Sequence, residues 1–373
     1  MKTAFLISCS DHYDHRMHLW DTCLQQMGYQ TRYITGDFDH TKKAKFTCNV
    51  PGAVQLPVLP YRKNLSVSRI LSHRMFAKKA RRYLQEHHPD VVIALLPPNF
   101  LAHYLAKYKK QHPKTKLIFD IFDLWPESFP SNKLKKLLSP IFRIWSGLRD
   151  RNLHMADFVT TECDLFRSKL RLPEDTSATV YLSAKPVQSP TQCTLAEDRL
   201  ELCYLGAINN IINIDAICDL LKQAVAIKPV TLHIIGKGEQ EEAFVRRARE
   251  TGAHVQFYGA VYDSDQKQQI LGRCHFGLNL MRSSVCVGLT MKSVDYFRFG
   301  LPIINNIPAD TAAFIRDRQV GFPLDDSCAQ RIAALTPDEC LAMRQRVADL
   351  FCQFFDQNTV AAQMTQILEQ IIL

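Results

Sequence analysis

Short apolar runs alternate with longer amphipathic segments along the first half of the chain. Short buried runs predict strands, and apolar positions at the helical period predict helices. The predicted strands are Thr3–Ser8, Thr31–Thr35, Val91–Leu95, Lys116–Ile121 and Phe158–Thr161, and the predicted helices surround Trp20–Met27, Arg69–Glu86 and Leu101–Lys110. Strands that alternate with helices in this way favour a parallel, doubly wound sheet.

The alternation starts again after residues 183–198, a stretch rich in Pro, Ser, Thr and Gln that predicts a linker. The strands predicted beyond it are Leu202–Leu205, Thr231–Ile235, Val255–Tyr258, Gly277–Leu280 and Pro302–Ile304. We therefore predict an α/β fold with two Rossmann-like, doubly wound domains, residues 1–185 and 186–350, and a cleft between them. A helical segment at 351–373 follows. Such sheets bind ligands at the carboxyl ends of their strands.

Residues 285–306 carry the clearest functional signal. A turn at Gly288 leads to Thr290, which is a good N-cap residue, and Gly300 stands where a helix C-terminal glycine belongs. The loop thus delivers a helix N-terminus with Lys292 in the first turn. Unpaired amides, the helix dipole and the ammonium together predict an anion site.

Asp295 lies one turn beyond Lys292, on nearly the same face of that helix. A cation and a carboxylate in this arrangement could bind a sugar nucleotide. Lys292 would contact the diphosphate, and Asp295 would accept hydrogen bonds from the ribose hydroxyls. The alternative is an ordinary strand–loop–helix–strand unit with a surface Lys–Asp pair. The local sequence alone supports the two interpretations equally.

Glycines follow three of the predicted strands in the second half. They are Gly206 after Leu202–Leu205, Gly236 after Thr231–Ile235 and Gly259 after Val255–Tyr258. Glycine permits close approach of a phosphate to the backbone. The Gly236-Lys237-Gly238 sequence lacks a third glycine, so it does not support a dinucleotide fingerprint. Several strands that each end in a glycine indicate a nucleotide site more strongly than one such strand does.

Composition narrows the class of protein. The chain has 373 residues, 46% of them hydrophobic, which is enough for two domains. Its 12 cysteines include no Cys-x-x-Cys pair, which indicates free thiols in a reducing cytoplasm. The longest apolar runs, such as Val91–Leu96, are too short to span a bilayer. The net charge is +9, and residues 1–185 hold the whole positive excess, which suggests a polyanionic partner.

Basic residues cluster in two places in the first half. Residues 62–82 contain eight lysines and arginines and no acidic residue, and Lys133, Lys135 and Lys136 precede a helix that carries Trp145 in an apolar stripe. Such a helix is typical of docking on anionic lipid, and we expect a cytoplasmic protein held peripherally at the inner face of the cell membrane. The alternative is a core-facing amphipathic helix with a solvated basic side. No RNA-binding module accompanies the charge, so no nucleic-acid partner is predicted.

His12, His15 and His18 are spaced by three. No cysteine or acidic cluster completes a metal site there, so none is predicted. His12 and His15 are instead candidate contacts for an acceptor, and a surface loop is the alternative.

The motif Gly-Leu-Thr-Met-Lys-Ser-Val-Asp-Tyr-(x3)-Gly-Leu-Pro-Ile-Ile, from Gly288, resembles the donor-site signature of bacterial GT-B glycosyltransferases. The likeness is to the retaining, family-4-like branch that contains capsule and exopolysaccharide enzymes. Asp-Leu-Trp-Pro-Glu-Ser, from Asp123 to Ser128, resembles a turn in O-antigen and colanic-acid-type transferases. Together the two motifs and the strand order cover nearly the whole chain.

The resemblance implies a transferase that uses a nucleoside-diphosphate sugar as donor, with no cofactor and no metal. It implies a lipid-linked or saccharide acceptor on the first domain, and residues 351–373 packed back on that domain. Asp123 would orient or deprotonate an acceptor hydroxyl, or else merely cap the following turn. Glu127 is a weaker acceptor candidate because the helix dipole already explains a carboxylate there.

The sequence departs from the family pattern at one informative position. Relatives usually carry two glutamates separated by seven residues; Asp295 matches the second, and the first falls on Val287. Two other functions therefore remain open: a sugar-nucleotide epimerase on the same fold, and a non-catalytic partner subunit.

Overall fold

The computed structural model describes residues 2–9, 14–129, 137–187 and 193–372. The chain divides into two compact units. The first unit is Met1–Tyr181 with Val360–Leu373, and the second unit is Leu182–Thr359. Each unit is built on one parallel sheet with helices packed against it, which confirms the predicted α/β class with two Rossmann-like domains.

The sheet of the first unit has seven parallel strands. They are β1 (Thr3–Ile7), β2 (Gln30–Gly36), β5 (Val54–Leu56), β6 (Val91–Leu96), β7 (Lys116–Ile121), β8 (Phe158–Thr161) and β9 (Ser177–Thr179). Their order is β5-β2-β1-β6-β7-β8-β9, and β3 (Phe38–Asp39) pairs with β4 (Ala44–Lys45) in a separate antiparallel ribbon. The strand order reverses between β1 and β6, and such a switch point is where doubly wound sheets bind ligands.

The helices of the first unit follow its strands. They are α1 (Asp14–Gln26), α2 (Val67–His87), α3 (Asn99–Gln111), α4 (Ser139–Asp150) and α5 (Asp164–Leu170). In β6 every residue is buried, as expected for a central strand of a parallel sheet covered on both faces.

A buried charge cluster ties the first unit together. Asp120 is fully buried on β7 and accepts hydrogen bonds from Arg16 Nε at 2.7 Å, Trp20 Nε1 at 2.9 Å and Thr160 Oγ1 at 2.7 Å. Arg16 also donates to the carbonyl of Val180 at 2.8 Å. A buried carboxylate is tolerated only when it is paired and hydrogen-bonded, so this cluster fixes α1 against β7 and β8.

The sheet of the second unit has six parallel strands in the order β12-β11-β10-β13-β14-β15. They are β10 (Leu200–Leu205), β11 (Val230–Ile235), β12 (His254–Gly259), β13 (Phe276–Asn279), β14 (Ile303–Asn305) and β15 (Gly321–Pro323). The strand order reverses at β10 and β13. The helices are α6 (Ile214–Val225), α7 (Glu241–Arg249), α8 (Ser264–Leu271), α9 (Met291–Arg298), α10 (Asp310–Arg318), α11 (Cys328–Ala334) and α12 (Pro337–Phe354).

The last helix, α13 (Gln357–Ile372), belongs mainly to the first unit. From Val360 onward its apolar side chains, including Met364 and Leu368, join the core around Trp20. Residues 351–359 lie in the second unit, so the segment that joins the first unit starts later than residue 351.

Candidate functional site

Two loops at the carboxyl ends of β10 and β11 touch through their glycines. Gly206 N–H donates to the carbonyl of Ile235 at 2.9 Å, and Gly236 N–H donates to the carbonyl of Gly259 at 2.7 Å. A Cβ added to Gly236 would lie 1.9 Å from the carbonyl oxygen of Gly206. Gly206 has φ of +123°, a conformation that side-chain-bearing residues rarely adopt. Both glycines are therefore needed for the loops to approach this closely.

Lys292 lies against the same loops. Its Cε would be 3.3 Å from a Cβ added to Gly206, and its Nζ lies 4.0 Å from the centre of the Tyr204 ring. No hydrogen bond or ion pair joins this ammonium to any residue in the described part of the chain. Burial lowers the pKa of Lys292 to about 7. The side chain is therefore a poorly hydrated cation with no carboxylate to neutralise it.

Thr290 begins α9 as predicted. Its Oγ1 accepts from the N–H of Ser293 at 3.0 Å and donates to Oδ1 of Asn279 at 3.1 Å. The Thr290 hydroxyl is thus used in capping. The remaining backbone amides of the first turn have no partner within the helix, which leaves the helix N-terminus as the group that can meet an anion.

Asp295 is partly buried one turn beyond Lys292. Burial raises the pKa of its carboxyl group, while the positive charges of Lys267 and Arg298 act in the opposite direction. Its carboxylate forms no hydrogen bond or ion pair within the residues that the structure describes, so its oxygens can accept hydrogen bonds from a ligand.

Gly288 has a structural partner. Its carbonyl accepts from both the N–H and the hydroxyl of Thr311, at 3.0 and 2.7 Å, at the start of α10. This pair of bonds holds the loop before α9. The structure therefore brings Gly206, Gly236 and Lys292 together, whereas the role of Gly288 in binding stays a prediction.

Tyr296 was missed as a site residue. Its hydroxyl accepts from the N–H of Leu205 at 2.8 Å and lies 3.1 Å from the carbonyl of Cys203. Its ring fills the space beside Gly277, where an added Cβ would be 2.7 Å away. Tyr296 thus anchors α9 on β10 and β13. It follows Lys292 by four residues, a spacing that marks a shared helix face but says nothing about which backbone groups the hydroxyl meets.

In the first unit, Asp123 lines a cavity of about 100 Å³ at the carboxyl ends of the central strands, together with Cys9 after β1 and Pro97 after β6. Burial raises the pKa of Asp123, and a hydrogen bond from Ser128 with the charges of Arg69 and Arg149 opposes that rise. The cavity lies at the switch point between β1 and β6, and Asp123 reaches it from the end of the next strand, β7. Its catalytic role stays a prediction.

Glu127 forms a bidentate ion pair with Arg149, at 2.9 and 3.2 Å. Arg149 is only 1% exposed and also donates to the carbonyl of Trp125. This pairing gives Glu127 a structural task, because loss of the carboxylate would leave a buried guanidinium short of a partner. Its contact with an acceptor stays a prediction.

The predicted membrane-facing helix α4 needs one correction. Trp145 is 4% exposed and packs edge-on against Trp125 with ring centres 5.9 Å apart, so its indole cannot insert into lipid. The apolar side chains that do face solvent are Leu137, Ile141 and Ile144. Sequence periodicity could not show which apolar residues of α4 face solvent, because the turn at Trp125 covers one side of its apolar stripe.

Four predicted residues lie outside the described residues: His12, Lys133, Lys135 and Lys136. His15 is exposed at the start of α1. In the ranges that the structure covers, no three His, Cys, Asp or Glu side chains are arranged to hold a metal ion. No helix in those same ranges is long and apolar enough to cross a membrane.

Comparison with known proteins agrees with this geometry. Residues 199–337, which contain the glycine loops, Lys292 and Asp295, match the family model described as glycosyl transferases group 1. The chain is a glycosyltransferase with the GT-B fold. No curated protein matches it in sequence.

Solved structures resemble this transferase over its whole length. The lipopolysaccharide outer core galactosyltransferase WaaB in its apo form has 15% identity and a TM-score of 0.69, with 99% of each chain covered. Sucrose-phosphate synthase from Thermosynechococcus elongatus has 12% identity and a TM-score of 0.68, again with 99% of each covered. Anabaena Alr3699/HepE in complex with UDP has 15% identity and a TM-score of 0.67, covering 99% of this chain and 100% of that one. At these identities the likeness concerns the fold.

Replacing Lys292 by Met is expected to stabilise the folded protein. The folded pKa of about 7 lies below the unfolded value near 10.5, so the desolvation penalty is complete below pH 7 and fades as the pH rises toward 10.5. Thermal unfolding should show Tm raised by about 2–4 °C near neutral pH, and by less in alkaline buffer.

Lys222→Met is the matched control, because Lys222 is an exposed lysine in the last turn of α6, outside the two glycine loops. We expect its Tm to stay close to that of the parent chain. A lower Tm for Lys292→Met would contradict the description of Lys292 as an unneutralised cation.

Proposed function

We propose that this glycosyltransferase moves a sugar from a nucleoside-diphosphate sugar to a saccharide or lipid-linked acceptor, in synthesis of the capsule, exopolysaccharide or O-antigen type. The observation that carries the proposal is Lys292, an ammonium without a counter-ion beside Gly206, Gly236 and the N-terminus of α9. The family-4-like motif and the UDP and UDP-glucose found in HepE structures support it.

The donor diphosphate would lie across the two glycines. Backbone without side chains lets the phosphate oxygens come close, and the α9 amides with Lys292 supply donors and positive charge. Negative charge builds up on the diphosphate as the bond to the sugar breaks. A fixed cation in a poorly hydrated site stabilises that leaving group without having to reorganise, and we propose that Lys292 does so in place of a metal ion.

Asp295 would bind the ribose of the donor. Its carboxylate oxygens are unpaired in the described chain and lie one helical turn from Lys292, so a diphosphate and its ribose can be held by one helix. The partner glutamate of the family is replaced by Val287, which cannot accept a hydrogen bond. We propose that the sugar ring is held by other groups, and that Asp295 contributes mainly to nucleoside affinity.

The first unit would bind the acceptor, with Asp123 as the group that takes the proton from the attacking hydroxyl. A carboxylate whose pKa is raised by burial is a stronger base than a solvated aspartate. The galactosyltransferase WaaB acts on the lipopolysaccharide outer core, and its likeness in fold supports a saccharide acceptor here.

We also propose peripheral docking on an anionic membrane. Exposed Leu137, Ile141 and Ile144 would enter the lipid interface, and Lys133, Lys135 and Lys136, just before them in sequence, would meet the headgroups. This arrangement would bring the enzyme to a lipid-linked acceptor.

Donor binding is tested by thermal shift and calorimetry with uridine, guanosine and cytidine diphosphates and their sugars. One base should stabilise the protein, and its affinity should fall as the pH rises above about 7, because Lys292 then loses its proton in the free enzyme. Lys292→Met should bind at least about tenfold more weakly and lose the pH dependence.

Lys222→Met again serves as the control and should retain both affinity and pH dependence. Absence of binding by every nucleoside diphosphate would refute the donor site. Conversion of a labelled donor to its epimer without an acceptor would instead support the epimerase alternative.

Asp123→Asn should slow transfer by about a hundredfold or more while leaving donor affinity unchanged, because only the proton acceptor is removed. The measurement is movement of label from the selected donor to a lipid-extractable or polymeric acceptor. Asp175→Asn, an exposed carboxylate of the same unit, should behave as the parent chain. Equal rates for the Asp123 and Asp175 variants would remove Asp123 from the mechanism.

Membrane docking is tested by co-sedimentation with vesicles that contain phosphatidylglycerol, and with neutral phosphatidylcholine vesicles. Reversing Lys133, Lys135 and Lys136 to glutamate should weaken binding to the anionic vesicles by at least about a hundredfold, because loss of the three positive charges alone costs about 1 kcal/mol each. Ile144→Ser should also weaken it, whereas Ile227→Ser, a half-exposed isoleucine of the second unit, should not. Unchanged co-sedimentation of the lysine-reversal variant and of Ile144→Ser would contradict the membrane proposal.

A further inference from the structure

The cavity beside Asp123 contains a cation that the transfer mechanism does not use. Arg69 is in the first turn of α2 and lines the cavity. Its Nη1 donates to the carbonyl of Asn64 at 2.9 Å, and its guanidinium lies 5.9 Å from the Tyr61 ring and 5.2 Å from the Trp125 ring. Its Nε is buried and has no hydrogen-bond partner.

His73, one turn further along α2, lines the same cavity. Its side chain is 6% exposed, and its Nδ1 is also buried without a partner. Burial, followed by the charges of Arg69 and His40, holds the pKa of His73 well below its usual range, so the ring is neutral. Two buried nitrogens without a partner, on side chains that line one cavity, are unusual, because each costs free energy until something bonds to it.

Arg69 and His73 both line the cavity, so a ligand with several acceptor oxygens would offer a hydrogen-bond partner to each side chain. The first turn of α2 contains no acidic residue, and its backbone amides and the helix dipole add to the charge of Arg69. Arginine recognises oxyanions through parallel N–H donors, and a neutral imidazole adds one further N–H. The cavity therefore suits an anionic group with several oxygens better than a neutral sugar hydroxyl.

We propose that this cavity is a subsite for an oxyanion, a phosphate ester or a carboxylate, carried by the acceptor and bound by Arg69 and His73. The inference rests on the proposed function for its assignment to the acceptor. Asp123 lines the same cavity, so an acceptor anchored by its anion would present a hydroxyl to that carboxylate in a fixed orientation. The enzyme would thus select charged acceptors over neutral ones.

The test uses the full chain carrying Lys292→Met, which removes the proposed donor site as a place for phosphate to bind. Any phosphate binding that remains is then independent of the proposed donor site. Inorganic phosphate is titrated calorimetrically at constant ionic strength. Adding Arg69→Met should weaken phosphate binding at least about tenfold, because a charge-assisted hydrogen bond is lost. Arg82→Met, an exposed cation on the same helix, should leave it unchanged.

His73→Asn provides a second variant in case Arg69→Met fails to fold, and it should also weaken phosphate binding. In the parent background, NMR should show the pKa of His73 rising when phosphate is added, as expected for a ring placed next to an anion. Titrations with methyl phosphate and with glucuronate distinguish the sources, and binding of either supports the subsite and identifies its kind of acceptor. Equal phosphate affinity in the Arg69, His73 and Arg82 variants overturns the proposal.

Discussion

The proposed donor site depends on one steric constraint, the contact between two loops at the carboxyl ends of β10 and β11. The backbone of Gly236 lies so close to the carbonyl of Gly206 that a Cβ would overlap it at 1.9 Å. Because neither loop carries a side chain there, Lys292 can lie directly over the backbone, supported by the Tyr204 ring. The same bare surface that admits the lysine leaves its ammonium open to a ligand, beside the unpaired amides at the N-terminus of α9.

The position of Lys292 has a cost for stability. A partly desolvated ammonium without a carboxylate destabilises the folded state. A neighbouring Asp or Glu would offset that desolvation penalty. Such a partner would also compete with a diphosphate for the ammonium. An unpaired Lys292 would thus trade folding stability for affinity toward the proposed donor. Tyr296 offsets part of the lost stability, because its hydroxyl bonds α9 to β10 and β13. A bound diphosphate would then supply the missing counter-ion.

The sequence was most informative where function follows from local backbone geometry. Thr290 caps α9 and Gly300 ends it with φ of +64°, as residue type and spacing indicated. The central strands of both sheets were also readable, because strands buried on both faces are short, continuous apolar runs. Burial of Trp145 was not, since it depends on a turn twenty residues earlier in the chain. The same holds for the Glu127–Arg149 pair, which forms only after tertiary packing.

The difference between local backbone geometry and tertiary packing also separates donor binding from acceptor binding in the proposed reaction. The donor group is a diphosphate common to many enzymes, and backbone amides with one lysine suffice to bind it, so a short motif reveals the site. Acceptors differ between enzymes, and their recognition requires side chains brought together from separate elements. Arg69 and His73 lie in a basic run that resembled a membrane-facing surface, yet both line a cavity with Asp123, more than forty residues away in sequence. Periodicity assigns a residue to a helix face, but only the packed sheet determines what that face encloses.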